Sequence, residues 1–100
     1  MTDKILTSQD GAIARIIFNQ PEKRNAVSLE MWEAVEAALD RYSADDSVRI
    51  LILSGAGGKA FVSGADISKF ESERASADGV ARYNATTKRV YDKVAGFPKP

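Results

Sequence analysis

Val48-Arg49-Ile50-Leu51-Ile52-Leu53-Ser54-Gly55 sets four consecutive aliphatic residues in the middle of a 100-residue chain. A continuous apolar run without polar alternation predicts a strand over Val48–Leu53 buried on both faces, the pattern of a parallel sheet. Upstream, Ser28 is an N-cap candidate and Glu30 lies near the positive helix end. Leu29, Trp32, Val35 and Leu39 then recur at helical spacing as far as about Tyr42, and Ala44-Asp45-Asp46-Ser47 ends the helix. Earlier still, Ile5-Leu6-Thr7 and Ala12–Phe18 read as strands around a Gln9-Asp10-Gly11 turn, with Gly11 supplying positive φ. Pro21 interrupts the polar loop Asn19–Ala26.

Downstream of the buried strand comes the flexible loop Gly55-Ala56-Gly57-Gly58. Phe61 and Val62 suggest a short strand, and Asp66 a cap for a short helix to about Glu73. After a polar break at Ser76–Gly79, the residues Val80, Tyr83, Thr87, Val90, Tyr91 and Val94 follow a second helical period, closed by Gly96, Pro98 and Pro100. Strands alternating with helices define an α/β chain. With no repeat, low-complexity tract or linker, residues 1–100 are expected to form one unit without an internal boundary.

Composition narrows the chemistry. Fourteen basic residues balance fourteen acidic ones, so there is no basic excess to draw the chain to nucleic acid or an anionic membrane. Cysteine and histidine are both absent. That removes disulfides, thiol nucleophiles, Ser-His and Cys-His pairs, and metal sites built on those ligands. No apolar run approaches membrane-spanning length, and Met1–Ser8 lacks a signal-peptide core. The cytoplasm is the expected compartment.

Two segments carry candidate chemistry. Phe61-Val62-Ser63-Gly64-Ala65-Asp66-Ile67 combines small residues, a glycine and a capping aspartate. Such a segment lets a ligand approach backbone N–H groups at a helix N-terminus, as an oxyanion hole requires; it equally suits a plain glycine turn with an Asp cap. Lys23 and Arg24 suit phosphate oxygens, or a solvated loop. Gly55–Lys59 fails the P-loop spacing, since Leu53 stands where the first glycine belongs and Ala60 where the hydroxyl does. Ser63 has no histidine to activate it, so its hydroxyl is expected to satisfy local backbone. Trp32 reads as core; Arg74, Arg82, Lys88 and Arg89 read as a solvated helix face. The acids Glu22, Glu30, Glu33, Glu36, Glu71 and Glu73 read as exposed, and no catalytic carboxylate pair is identifiable.

In that order, Asn19–Ala26, the helix, Val48–Gly55 and Lys59–Ile67 resemble the opening of crotonase-fold proteins, the superfamily of enoyl-CoA hydratases and isomerases. Phe97-Pro98-Lys99-Pro100 is similar to the segment entering that family's next buried strand. The resemblance implies a right-handed spiral of β-β-α units, of which this chain is the N-terminal part. It implies acyl-CoA or enoyl-CoA as substrate, with coenzyme A the substrate's handle and no prosthetic group or metal. The backbone N–H of Ala65 becomes one of two oxyanion donors. Lys23, Arg24 and Ala26 fall near the coenzyme A phosphates or adenine. Ser63, Asp66 and Ile67 line the adenine and pantetheine pocket, and Ser68 replaces a lysine found in some relatives. A homo-oligomer, trimer or hexamer, is implied as well.

The alternatives are another reaction of the superfamily (thioester hydrolysis, decarboxylation or dehalogenation), or a non-catalytic CoA-binding or assembly module. A partial spiral leaves the Val48–Leu53 strand uncovered on one side. The resemblance puts the second donor and the acid/base residues after Pro100. A verified 100-residue preparation is therefore expected to show no hydration of a short enoyl-CoA in an absorbance assay; detectable turnover would overturn that expectation.

Overall fold

A computed structural model describes residues 2–66 and 76–100. Strands β1 (Ile5–Asp10) and β2 (Ile13–Phe18) pair antiparallel, with Ile5 opposite Phe18 and Asp10 opposite Ile13. The turn is Gly11-Ala12, one residue later than the sequence reading, and Gly11 holds φ +60 as expected. Strand β3 (Ile50–Gly55) joins β2 in parallel, Ile13 facing Ile50 and Phe18 facing Gly55, so the sheet order is β1-β2-β3. Between β2 and β3 runs helix α1 (Leu29–Ala44), and helix α2 (Ala77–Ala95) follows the sheet. A parallel β-α-β crossover of this kind is right-handed in nearly all proteins.

One face of the sheet carries the core. Ala14, Ile16 and Phe18 alternate inward along β2 and meet Val27, Met31, Trp32, Val35, Ala38, Leu39 and Tyr42. Phe18 anchors an edge-on aromatic cluster, 6.1 Å from Trp32 and 5.4 Å from Phe61 by ring centroids. The Ser28 hydroxyl accepts from Met31 N at 3.3 Å and caps α1 as expected. At its other end the ammonium of Lys99 donates to the carbonyls of Tyr42 and Asp45, at 2.7 and 2.6 Å. A cation is favoured there because the helix dipole is negative at that end.

Three expectations change. β3 is not buried on both faces: Leu51 and Leu53 pack toward the core, but Ile50 and Ile52 are 42% and 37% exposed. The cause is topological, because β3 is an edge strand with helices on one side; Leu51 N meets only the carbonyl of Pro100, at 2.9 Å. Phe61 and Val62 form no strand; the regular pairing comes later, as an isolated bridge at Ala65. The apolar stripe of α2 is buried at Tyr83 and Val90 but open at Tyr91 and Val94. The helix expected after Asp66 lies outside the described residues.

Charges read as solvated instead join the helices. Arg82 meets Glu33 at 2.8 Å, Arg89 meets Glu36 at 2.8 Å, and Lys93 reaches both Glu36 and Asp40. The Glu36 side chain is 17% exposed. The hydrogen bond from Arg89, helped by Lys93, holds its carboxyl below the ordinary value of 4.5 against the opposing effect of burial. A carboxyl lowered on folding stabilises above its unfolded pKa and loses that contribution as pH falls through the folded one. Denaturation midpoints should therefore fall as the medium is acidified below about pH 4.5, and Glu36→Gln should flatten part of that slope. An unchanged slope would show that the pair does not contribute.

Candidate functional site

The chain leaves β2 and must reverse before α1. Pro21 opens a 3-10 turn, Pro21–Lys23, at the position where its missing N–H costs nothing. Arg24 and Asn25 then take left-handed conformations, φ 51 and φ 60. Asparagine tolerates this better than most residues because its short amide bonds locally.

That loop is held by two fully buried carboxamides. The Asn25 side-chain oxygen accepts from Gln20 N at 2.8 Å, and its amide nitrogen donates to Ala56 O at 3.0 Å and Ala60 O at 2.8 Å. The Gln20 amide nitrogen donates to Ala26 O at 2.7 Å and to the Asp66 carboxylate at 3.0 Å, while its oxygen accepts from the Lys4 ammonium at 2.7 Å. Three separate loops, 19–26, 56–60 and 63–66, are thereby fixed to one another. Gly55 lies at their junction. A β-carbon there would fall 2.5 Å from Phe61 O and 2.7 Å from the Asn25 amide nitrogen, and would also strike Ala60 O.

Val27 and Ala65 form an isolated parallel bridge. Val27 N donates to Gly64 O at 2.8 Å, and Asp66 N donates to Val27 O at 3.1 Å. In a trans peptide the N–H of one residue points opposite to the carbonyl before it. Tying Gly64 O to Val27 therefore aims the Ala65 N–H away from the bridge, where no acceptor meets it among the described residues. Ala65 is itself exposed. Gly64, at φ +128, supplies the turn that brings it there.

Beside this segment opens a cleft of about 650 Å³, lined by Pro21, Glu22, Lys23 and Arg24 on one side and Ala56, Gly57, Lys59, Ala60 and Ser63 on the other. Three cations face one carboxylate. Lys23 is 3.5 Å from the Asp66 carboxylate, whose side chain is only 2% exposed, and the Ser63 hydroxyl donates to Lys23 O at 3.3 Å. Cleft and bridge are thus joined through both chains of contact. Lys23, Arg24 and Ser63 come together in the lining as a set. Ala26 is buried beneath the loop, and Asp66 turns its carboxylate inward to Gln20 and Lys23 rather than into the cleft. Ile67 and Ser68 lie outside the described residues.

Sequence reasoning gave no site role to Lys59, which it read in a failed phosphate loop and at the head of the Lys59–Ile67 motif, or to the framing amides Gln20 and Asn25 of the Asn19–Ala26 motif. The available signal was a pair of side-chain amides bracketing Pro21 in a loop that must turn sharply. Among the described residues no group of three or more His, Cys, Asp or Glu side chains could hold a metal ion, and no helix is long and apolar enough to cross a membrane.

Asn25→Ala removes three hydrogen bonds, one buried and two part-buried, and keeps a left-handed backbone that alanine disfavours, so stability should fall by about 2–4 kcal/mol. Asn25→Gly loses the same bonds without the backbone strain and should fall less. Urea denaturation of both variants measures the order; an alanine variant as stable as the parent would show that the amide does not frame the site.

The profile of the enoyl-CoA hydratase/isomerase family matches residues 13–100. Rat enoyl-CoA delta isomerase 2 is 35% identical over 97 residues, covering 96% of this chain and 24% of that protein. The zebrafish mitochondrial enoyl-CoA hydratase domain-containing protein 3 is 39% identical over 71 residues, covering 71% of this chain and 24% of its own length. A crystal structure of an enoyl-CoA hydratase/carnithine racemase from Magnetospirillum magneticum superposes with a TM-score of 0.88 at 39% identity, over all of this chain and 38% of that one. The chain thus spans 24% to 38% of the length of these relatives. Matched by that profile over most of its length and by those structures in its α/β, crotonase-like fold, the chain belongs to the enoyl-CoA hydratase/isomerase family.

Proposed function

We propose that the protein binds an acyl-CoA thioester and stabilises its enolate, as an enoyl-CoA hydratase or isomerase of fatty acyl-CoA metabolism. The observation that carries this reading is the Val27–Ala65 bridge, which aims an N–H that meets no acceptor among the described residues, on an exposed alanine beside a cationic cleft. Adding water across a conjugated thioester, or moving its double bond, passes through a state with negative charge on the carbonyl oxygen. A fixed donor at Ala65 lowers the energy of that state more than that of the substrate. Such chemistry uses a pair of donors together with acid/base groups, and the reading requires those partners elsewhere in the protein.

The cleft supplies the handle. Lys23, Arg24 and Lys59 suit the phosphates of coenzyme A, Arg24 through a two-pronged guanidinium and the lysines as point charges. The family resemblance assigns Ser63, Asp66 and Ile67 to the pocket around the adenine and pantetheine arm, and Ala26 to the neighbourhood of the phosphates or adenine. Coenzyme A is part of the substrate in this scheme, and no redox cofactor or metal takes part. The chain works as one portion of a single domain, in a homo-oligomer of three or six subunits. The exposed Leu6, Ile50 and Ile52 support a further covering surface of that kind. A reducing compartment such as the cytoplasm is the setting proposed for it.

Steady-state assays of the intact protein with short 2-enoyl-CoA and 3-enoyl-CoA substrates test the activity, and Ala65→Pro tests the donor. Proline deletes an N–H that makes no described protein bond, so the fold should survive while kcat falls roughly 10²–10³-fold. Ala65→Ser should stay near the parent. Equal kcat for the proline variant would remove Ala65 from the mechanism; no turnover and no CoA-thioester binding by the parent would remove the whole reading.

A further inference from the structure

We infer that Tyr83 of α2 is a positioning residue that fixes the aim of the Ala65 N–H, acting through the carbonyl of Val27. The inference rests on the donor role proposed for Ala65 and adds a residue from a different element to it. Val27 O accepts two hydrogen bonds: one from Asp66 N at 3.1 Å, the other from the Tyr83 hydroxyl at 3.1 Å. The indole N–H of Trp32 donates in turn to the Tyr83 hydroxyl at 3.3 Å. Val27 is fully buried, and Tyr83 and Trp32 are each 8% exposed.

A buried phenol needs a partner wherever it sits. What distinguishes this one is the partner's second duty. The same carbonyl anchors the residue that follows Ala65, and the N–H of the same valine anchors the carbonyl that precedes it. The two peptide planes flanking Ala65 are therefore both referenced to Val27. Val27 lies between the end of the Gln20–Asn25 loop and the Ser28 cap, so its own orientation is set by what holds its carbonyl. α2 is in turn packed on α1 through Tyr83 and Val90, which share the buried core with Trp32, Val35 and Leu39, and Arg82, Arg89 and Lys93 pair across the two helices. Trp32, by donating to the hydroxyl oxygen, orients the hydroxyl proton toward Val27 O. Through these links the geometry of the donor depends on the seating of a helix that does not line the cleft.

Tyr83→Phe keeps the ring and removes only the hydroxyl. In the intact protein, amide hydrogen exchange at Val27 and Asp66 should quicken about tenfold, the scale of one neutral hydrogen bond. With a short enoyl-CoA, kcat should fall about tenfold while KM stays within about twofold, because the lost interaction serves the transition state rather than binding. The infrared carbonyl band of a bound 13C-labelled thioester should shift less from its free position than with the parent. Trp32→Phe keeps the Tyr83 hydroxyl but removes the donor that orients it, and should lower kcat in the same direction by less than about threefold. Unchanged exchange at Val27 and Asp66 overturns the inference whatever the activity. Quickened exchange with unchanged kcat and carbonyl band also overturns it, leaving Tyr83 a merely structural residue. Absence of turnover in the parent fails the donor reading itself, a result distinct from either.

Discussion

Saturation of two buried carboxamides is the constraint on which the site depends. Gln20 and Asn25 have no contact with solvent, so every hydrogen bond they need must come from protein. A fully satisfied polar network of this kind rigidifies its surroundings, whereas a partly satisfied one costs more than an apolar substitute. Apart from Lys4, their partners lie on three loops whose described pairing is the single bridge at Ala65. Remove the amides and the 56–60 wall loses its side-chain ties to the cationic loop, while the Ala65 turn stays joined to that loop through the Val27 bridge and the contacts of Ser63 and Asp66 with Lys23. Gly55 completes the arrangement by letting two carbonyls and an amide converge on a space that any side chain would fill.

Charge is arranged on the same economical pattern. The chain carries no net charge, yet the cleft is positive. The acids of α1, Glu33, Glu36 and Asp40, are occupied by the bases of α2. Among the described residues lining the cleft, Lys23, Arg24 and Lys59 outnumber the one acid, Glu22, and Lys23 also meets the buried Asp66 carboxylate. Local potential, rather than total charge, is what an anionic ligand meets. Charge arithmetic on the composition says nothing about a local cationic cleft.

Local chemistry was the legible part. Ser28 caps its helix, Gly11 turns its hairpin, and the spacing of Trp32, Val35 and Leu39 marks the buried side of α1. Each of these depends on a few neighbouring residues. The run Ile50–Leu53 was misread because strand burial depends on neighbours in space, and β3 has a paired strand on one side and little on the other. Tyr91 and Val94 follow the helical period faithfully but have too little packed against them to be covered. In the cleft lining, Lys23 and Arg24 could be named from their residue types, and Ser63 only through the family resemblance. Gln20, Asn25 and Tyr83 could not, because an amide or phenol becomes a frame only through partners tens of residues away. Lys59 was hidden by a motif test that asked about phosphate loops and never about the wall facing it.

Those distant partners decide the order in which the molecule can become itself. The β1–β2 hairpin closes over a two-residue turn, and α1 needs only its own sequence to begin. By contrast, the bonds that define the site join Asn25 to Ala60, Gln20 to Asp66 and Val27 to Tyr83, across 35, 46 and 56 residues. Each closes a loop whose entropy must be met before the bond gives anything back. A chain emerging from the ribosome N-terminus first therefore owns its scaffold long before it owns its chemistry, and a nascent chain halted after β3 carries the walls of half a cleft with nothing to brace them.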